Sequence, residues 1–246
     1  MSTNGTIRCG IGGWVYPPWR GTFYPKQLKQ AEELAYASRR LSAIEINGTF
    51  YRLQTPQTYR HWRDQTPDGF VFSLKGPRFI THRRDFSEIG PFLDRFVASG
   101  PRELGSRLGP ILWQFAATLR FDAAVFAGFL ERLPGGLRHA VEVRHASFAD
   151  PAFAALLRRH KVALAWVDDA DYPAFDAVTA DFVYARLRRC EAAEPTGYPE
   201  GALDAFAARF QAQAAAGRDC FVYFINGAKV RAPAAAEAFI RRLGAS

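Results

Sequence analysis

The chain has no apolar run near the roughly 20 residues a membrane-spanning helix needs, so no membrane segment is expected. Its start, Met1 to Thr6, is polar and lacks a basic segment followed by an apolar run, which argues against a secretory signal and for a cytoplasmic protein. Cysteine is scarce. Cys9, Cys190 and Cys220 are odd in number and widely spaced, fitting neither a disulfide framework nor a zinc motif, so they read as reduced packing residues. GxSxG, HExxH and CxxC are missing, which leaves serine hydrolase, zincin and thioredoxin-type chemistry without support. Histidine is sparse as well: His61, His139 and His160 fall within a helix, at a strand start and at a helix end, too poorly placed for a multinuclear zinc site. Gly12-Gly13 could let a phosphate approach the backbone, but it has neither a GxGxxG nor a P-loop pattern around it. No composition break, low-complexity segment or close internal repeat divides the chain, so a single domain over residues 1–246 is expected.

What the chain does contain is one plan used again and again. Short runs of β-branched, aromatic and aliphatic residues stop at a charged or amide side chain, at Asn47, Lys75, Gln114, Arg144, Asp168, Arg186 and Asn226, and a helix-like segment follows. Together with the run at 7–11, this predicts strands over 42–47, 69–75, 108–115, 139–144, 162–168, 181–187 and 220–226. Helices are expected over 28–40, 57–65, 91–102, 122–133, 151–160, 203–216 and 233–243, with long loops at 12–25 and 169–180. Eight such units in 246 residues, 48% of them hydrophobic, suit an α/β protein built as a TIM-like (β/α)8 barrel. An open doubly wound sheet is the alternative, and would normally use fewer strands.

In such a barrel the strand ends converge on one face, and residues two apart on a strand share a side. Glu45 with Asn47, Ser73 with Lys75, Leu112 with Gln114, Glu142 with Arg144, Tyr184 with Arg186, and Phe224 with Asn226 are therefore expected to point inward. Pointing outward would bury charge against the helices, at a cost of several kcal/mol per ion.

The net charge of +8 favours anionic partners, but its distribution matters more than its sum. Arg39-Arg40, Arg158-Arg159-His160-Lys161 and Arg241-Arg242 fall where helices should end and complement their dipoles, on the face opposite the strand ends. Lys75, Arg78, His82, Arg83, Arg84, Arg144, Arg186, Arg188 and Arg189 follow or close strands, and should line the functional face.

Several chemistries are open there. Glu45 and Glu142 are acid/base candidates, or else counter-ions of Lys75, Arg144 and Arg186. Those three cations can clamp a carboxylate or phosphate, unless Asp168, Asp169 and Asp171 neutralise the surplus. His82 and His145 both follow strand ends and are candidates for proton transfer or metal binding. A single Mg²⁺ or Mn²⁺ on Glu45, Glu142 or Asp168 is chemically compatible, although no ligand spacing demands it. Lys75, the one lysine at a strand end, could form a Schiff base if burial lowers its pKa. The aromatic group Trp14, Tyr16, Trp19, Phe23, Tyr24, Phe50 and Tyr51 can stack bases or sugars, or can simply plug the loops onto the barrel, with Trp14 and Tyr16 the best placed to contact a ligand.

The chain resembles the YecE-like family, also called domain of unknown function 72. The stretches that carry the resemblance are Gly13-Trp14 with Tyr16, Trp19-Arg20-Gly21, Phe23-Tyr24-Pro25, Glu45-Ile46-Asn47 with Thr49-Phe50-Tyr51, and Phe70 to Lys75. They continue through Thr81-His82, Gly109-Pro110 with Leu112 and Gln114, Ala140 to His145, Asp168, Tyr184 to Leu187 and Tyr223 to Asn226. The resemblance implies a TIM-like barrel and no established activity. The chain departs from the family pattern in its loops: Ala116-Ala117 where two prolines are usual, Phe148 where tryptophan is usual, Arg188-Arg189 in place of a His-Gly pair, and Gly227 in place of asparagine or threonine.

Three functions follow as expectations. The first is an enzyme acting on a phosphorylated or otherwise anionic substrate, with phosphoester hydrolysis its most concrete form. Glu45, Glu142, Lys75, His82 and Asp168 would be catalytic, and Trp14, Tyr16, Asn47, Gln114, Arg144, His145, Arg186 and Asn226 would bind substrate. The second is a non-catalytic nucleic-acid binder using the basic loops and the aromatic platform. The third is acid/base chemistry on a neutral sugar, which leaves the arginines unexplained.

Overall fold

The computed structural model describes residues 4–83 and 85–244; Met1 to Thr3 of the polar start and Arg84 of the basic loop lie outside them. Eight strands form a closed parallel barrel: β1 (Ile7–Gly12), β2 (Ala43–Ile46), β3 (Val71–Lys75), β4 (Leu108–Gln114), β5 (His139–Glu142), β6 (Ala163–Asp168), β7 (Phe182–Leu187) and β8 (Asp219–Phe224). Each strand pairs with the next in chain order, and β8 closes on β1 with Ile7 opposite Cys220 and Ile11 opposite Phe224. The expected TIM-like barrel is the observed fold.

Small and large residues share the interior. Ala43, Ala140, Ala163 and Ala165 leave room for Leu112, Tyr184, Phe221 and Tyr223, as a barrel filled in side-chain layers requires. Buried hydroxyls need partners, and both tyrosines find one: Tyr223 Oη bonds Ser73 Oγ at 2.7 Å, and Tyr184 Oη donates to Glu45 at 2.8 Å. The outward faces of the strands meet the helices through a larger apolar layer that includes Trp113, Phe115, Phe126, Phe129, Phe148 and Phe153.

Local chemistry fixes where helices begin. Thr55, Asp122 and Asp150 cap helices Pro56–Asp64, Ala123–Glu131 and Pro151–Arg159 by accepting from backbone N–H groups at 3.2, 3.0 and 2.8 Å, and proline opens the first and third. Arg39-Arg40, Arg158-Arg159 and Arg241-Arg242 do sit in last helical turns.

Some expected boundaries move. Helix 91–102 stops at Ala98, because Gly100 adopts φ 97° and Pro101 starts a separate 3-10 turn. Helix 203–216 instead begins at Glu200, after Pro199. Short helices Gly48–Tyr51 and Arg78–Thr81 occupy segments read as loop. The orientation of β8 also differs from expectation. Phe224 faces outward, with its ring 5.9 Å from Phe239 and 5.7 Å from Tyr198, while Tyr223 and Ile225 face in. Asn226 lies beyond the strand, exposed and at φ 61°.

Candidate active site at the barrel mouth

The carboxyl ends of the strands gather a network of buried charge. Arg186 on β7 is only 3% exposed and lies between two carboxylates. Its Nε and Nη2 donate to the two oxygens of Glu45 on β2 at 2.9 and 3.0 Å, and its Nη1 donates to Glu142 on β5. The other Glu142 oxygen accepts from Gln114 Nε2 at 2.8 Å and from Arg144 Nε at 2.9 Å. With Tyr184 on Glu45, every oxygen of the two glutamates has a donor.

This pairing controls protonation. Burial disfavours the Glu142 carboxylate, but Arg186 and Arg144 outweigh it and hold its pKa at about 2. Burial would likewise discourage the Arg186 charge, and Glu142 and Glu45 reverse that, raising its pKa above the ordinary value. Arg186, a candidate ligand clamp, gives one hydrogen bond from each of its three nitrogens to the two glutamates and so organises the mouth, while Arg144 is held by Glu142 through Nε and Nη2 and leaves its Nη1 side free of the glutamates.

Lys75, at the end of β3, differs from the rest. It is 7% exposed, its Nζ sits 3.9 Å from the centre of the Phe50 ring, and no described residue accepts a hydrogen bond from it. Burial, with Arg186 adding repulsion, lowers its pKa from 10.5 to about 8. His82 packs on the other side of the same neighbourhood, its ring 5.4 Å from Phe50 and its Nδ1 3.1 Å from Thr81 Oγ1. Partial burial and the cations Lys75, Arg78 and Arg144 lower the His82 pKa.

Other expected site residues are spread around this centre. Asn47 stands beside Gly12 at the mouth, with Nδ2 3.0 Å from where a Gly12 Cβ would be. His145 Nδ1 accepts from the Ser147 backbone N–H at 3.1 Å, which organises the loop after β5. Asp168 shares the outward side of β6 with Trp166, whose ring meets Phe206 and Phe210, so Asp168 lies apart from the glutamates. It accepts from Tyr198 Oη at 2.9 Å and faces Arg189 at 3.7 Å. Trp14 packs edge-on against Trp62 and Phe72, and Tyr16 lies under Lys229 at 4.6 Å. The exposed aromatic is Tyr51, at 68%, with Arg78 6.0 Å from its ring. Asn226, its amide oxygen turned toward Arg188, accepts from Nε and Nη2 at 3.2 and 2.7 Å.

A divalent cation fits this centre poorly, since all four glutamate oxygens already accept from arginine, glutamine or tyrosine. Among the described residues no group of three or more His, Cys, Asp or Glu is arranged to hold a metal.

The family model for a protein of unknown function, DUF72, matches residues 8–246. The chain belongs to the DUF72 family. The UPF0759 protein YecE of Escherichia coli K12 is 31% identical over 143 residues, covering 58% of this chain and 50% of that protein. The UPF0759 protein YunF of Bacillus subtilis is 26% identical over 159 residues, covering 60% of this chain and 54% of that one. The DUF72 chain thus spans about half the length of the curated relatives it matches. A DUF72 family protein from Thermotoga maritima superposes with a TM-score of 0.81 at 25% identity, covering 97% of this chain and 99% of that one. Another from Enterococcus faecalis gives 0.78 at 17% identity over 99% and 100% of the two chains, which shows the fold alone.

The loop departures of this DUF72 chain have structural counterparts. Phe148 fills an aromatic cluster with Phe121, Phe126 and Phe153. Arg188 pairs with Asp169 as well as Asn226. Gly227 adopts φ 55°, and a Cβ there would lie 2.5 Å from the Cys190 carbonyl oxygen and 2.9 Å from that of Arg188. Ala116 and Ala117 are half-buried after β4, and nothing in the structure accounts for alanine at these two positions. Gly227→Ala is expected to lower stability by about 2–4 kcal/mol through backbone strain and overlap, a fall of roughly 5–10 °C in the unfolding midpoint by calorimetry.

No local pattern announces contacts that long-range partners decide: the Arg186 fork, the Phe50 ring under Lys75, and the reach of Tyr198 to Asp168. Phe50 was visible as an aromatic beside the mouth, but its pairing with Lys75 was not.

Proposed function

We propose that this protein is an enzyme acting on an anionic carbonyl compound at the barrel mouth, with the Lys75 amine as the reacting group. The supporting observation is the Lys75 amine itself, which has no acceptor among the described residues, is set on an aromatic ring beside Arg186, and has a pKa of about 8 that leaves a usable neutral fraction near physiological pH. Lysine does covalent work only when neutral. Most surface lysines are not, at that pH.

The step balances without any added reagent. The neutral Lys75 nitrogen attacks the carbonyl carbon, the C–O π electrons move to oxygen, and that oxygen takes up a proton. Loss of water from the carbinolamine then gives the iminium, whose charge an anionic group on the substrate offsets. Arg144, 17% exposed and stacked 4.7 Å over Tyr172, is suited to hold that group. His82, partly exposed and sharing the Phe50 neighbourhood, is suited to move the protons.

Phosphoester hydrolysis draws less from the geometry, because Glu142 is held ionised and both glutamates are saturated with donors. A nucleic-acid-binding role draws on one observation, the exposed Tyr51 with Arg78 beside it.

The test is reductive trapping. Glyoxylate, pyruvate and pyridoxal 5′-phosphate are each incubated with the protein and borohydride, and the adducts mapped by mass spectrometry. An adduct at Lys75, rising with pH to a midpoint near the Lys75 pKa of about 8 and absent from Lys26, Lys29, Lys161 and Lys229, is the expected result. Adducts spread over the exposed lysines, with none at Lys75, would set the proposal aside.

A further inference from the structure

We propose that the opposite, amino-terminal end of the barrel holds a second binding site, for a phosphate group, formed by Arg8, Arg102 and Arg138. A cleft of about 470 Å³ opens there between the starts of β1, β3, β4 and β8, within the size range of small-molecule sites. The three arginines face a single lining carboxylate, Asp219.

Two of the arginines are held in position. Arg138 Nη1 donates to Asp219 at 2.7 Å, and its guanidinium lies 5.6 and 5.8 Å from the Phe182 and Phe221 rings. Arg102 Nη2 donates to the Gly135 carbonyl at 2.9 Å. Arg8 is different. It stands opposite Phe221 on the inward side of β1, forms no hydrogen bond or ion pair with a described residue, and has its Nε buried without an acceptor. A guanidinium cannot shed its charge as a lysine can, so a buried N–H there costs free energy until an acceptor arrives. An anion presenting two oxygens satisfies that geometry.

The surrounding backbone keeps the cleft open. Gly105 and Gly136 line it at φ 57° and 71°, a conformation that favours glycine, and a Cβ at Gly105 would meet nothing within 4 Å. Residues at this end of a TIM-like barrel usually serve packing alone. An inward arginine whose buried Nε has no acceptor among the described residues does not fit that role. The two ends are separated by the length of the strands, roughly 15–20 Å, so this site is independent of the chemistry at Lys75.

Isothermal titration of the full chain with inorganic phosphate and with pyrophosphate tests the assignment. Wild type and Lys75→Met are expected to bind alike, and Arg8→Met about ten- to a hundredfold more weakly, the effect of losing a charge-assisted pair. If Arg8→Met does not fold, Ser106→Asp serves instead: it adds a carboxylate to the exposed rim of the cleft and should abolish binding. Absence of binding to wild type at millimolar ligand, or equal binding by wild type and both cleft variants, would overturn the proposal. So would loss of binding in Lys75→Met alone, which would move the anion to the mouth.

Discussion

Arg186→Leu is expected to lower the unfolding free energy by about 3–5 kcal/mol, the cost of leaving buried carboxylates without their cation. For a chain of 246 residues that is a fall of roughly 10 °C or more in the melting midpoint. The cost arises because Glu45 loses a two-pronged partner and Glu142 loses one of its two arginines. Removing a carboxylate as well, in Arg186→Leu with Glu45→Gln, should recover part of the loss.

The pH dependence gives a second readout. In wild type the folded Glu142 carboxyl has a pKa of about 2, below its ordinary 4.5. It therefore contributes stability, of order 3 kcal/mol, that is present above about pH 4.5 and lost as the pH falls toward 2. In Arg186→Leu burial is less opposed, so the carboxyl pKa rises and acid should relieve the defect instead of adding to it. Urea unfolding between pH 3 and 7 distinguishes these cases. A variant as stable as wild type at every pH would show that the Arg186 fork carries no net stability.

Lys75→Met should shift stability the other way. Folding lowers the Lys75 pKa from 10.5 to about 8, so the unfolded chain holds more protons between those values and stability rises with pH across that window. Below pH 8 the protonated amine is a standing cost, and an uncharged side chain of similar length removes it. A gain of about 1–3 kcal/mol at pH 7 is expected, shrinking toward zero as the pH approaches 10.5. The same variant should form no borohydride-trapped adduct. Gain of stability with loss of covalent reactivity is how a group retained for chemistry behaves. Loss of stability in Lys75→Met would instead assign the lysine a structural role.

Much of the mouth was legible because strands ending in a polar residue announce it. Glu45, Ser73, Lys75, Gln114, Glu142, Tyr184 and Arg186 followed from alternation on segments where polar and apolar residues take turns. Cys220 to Ile225 offers no such alternation, being apolar on both sides, so counting back from Asn226 points Phe224 inward where the structure has Tyr223. Asp168 closes a strand as Lys75 does, yet its side chain meets Tyr198 from a distant loop, a pairing no local pattern encodes. The choice between counter-ion and catalyst for the glutamates depended on distances of about one hydrogen bond, and these arise only when β2, β5 and β7 are assembled around Arg186. Arg8, a lone cation near a strand start, carries no periodic signal.

The close approach of Gly227 to Arg188 and Cys190 ties the turn after β8 to the loop after β7. A side chain at 227 and the present course of the backbone at 188–190 exclude each other, since its Cβ would overlap carbonyl oxygens from both residues. Position 227 and the course of the 188–190 loop are therefore one structural unit. A chain with a side chain at 227 has to route the preceding loop differently, and exchanging either segment alone should yield a poorer protein than exchanging both.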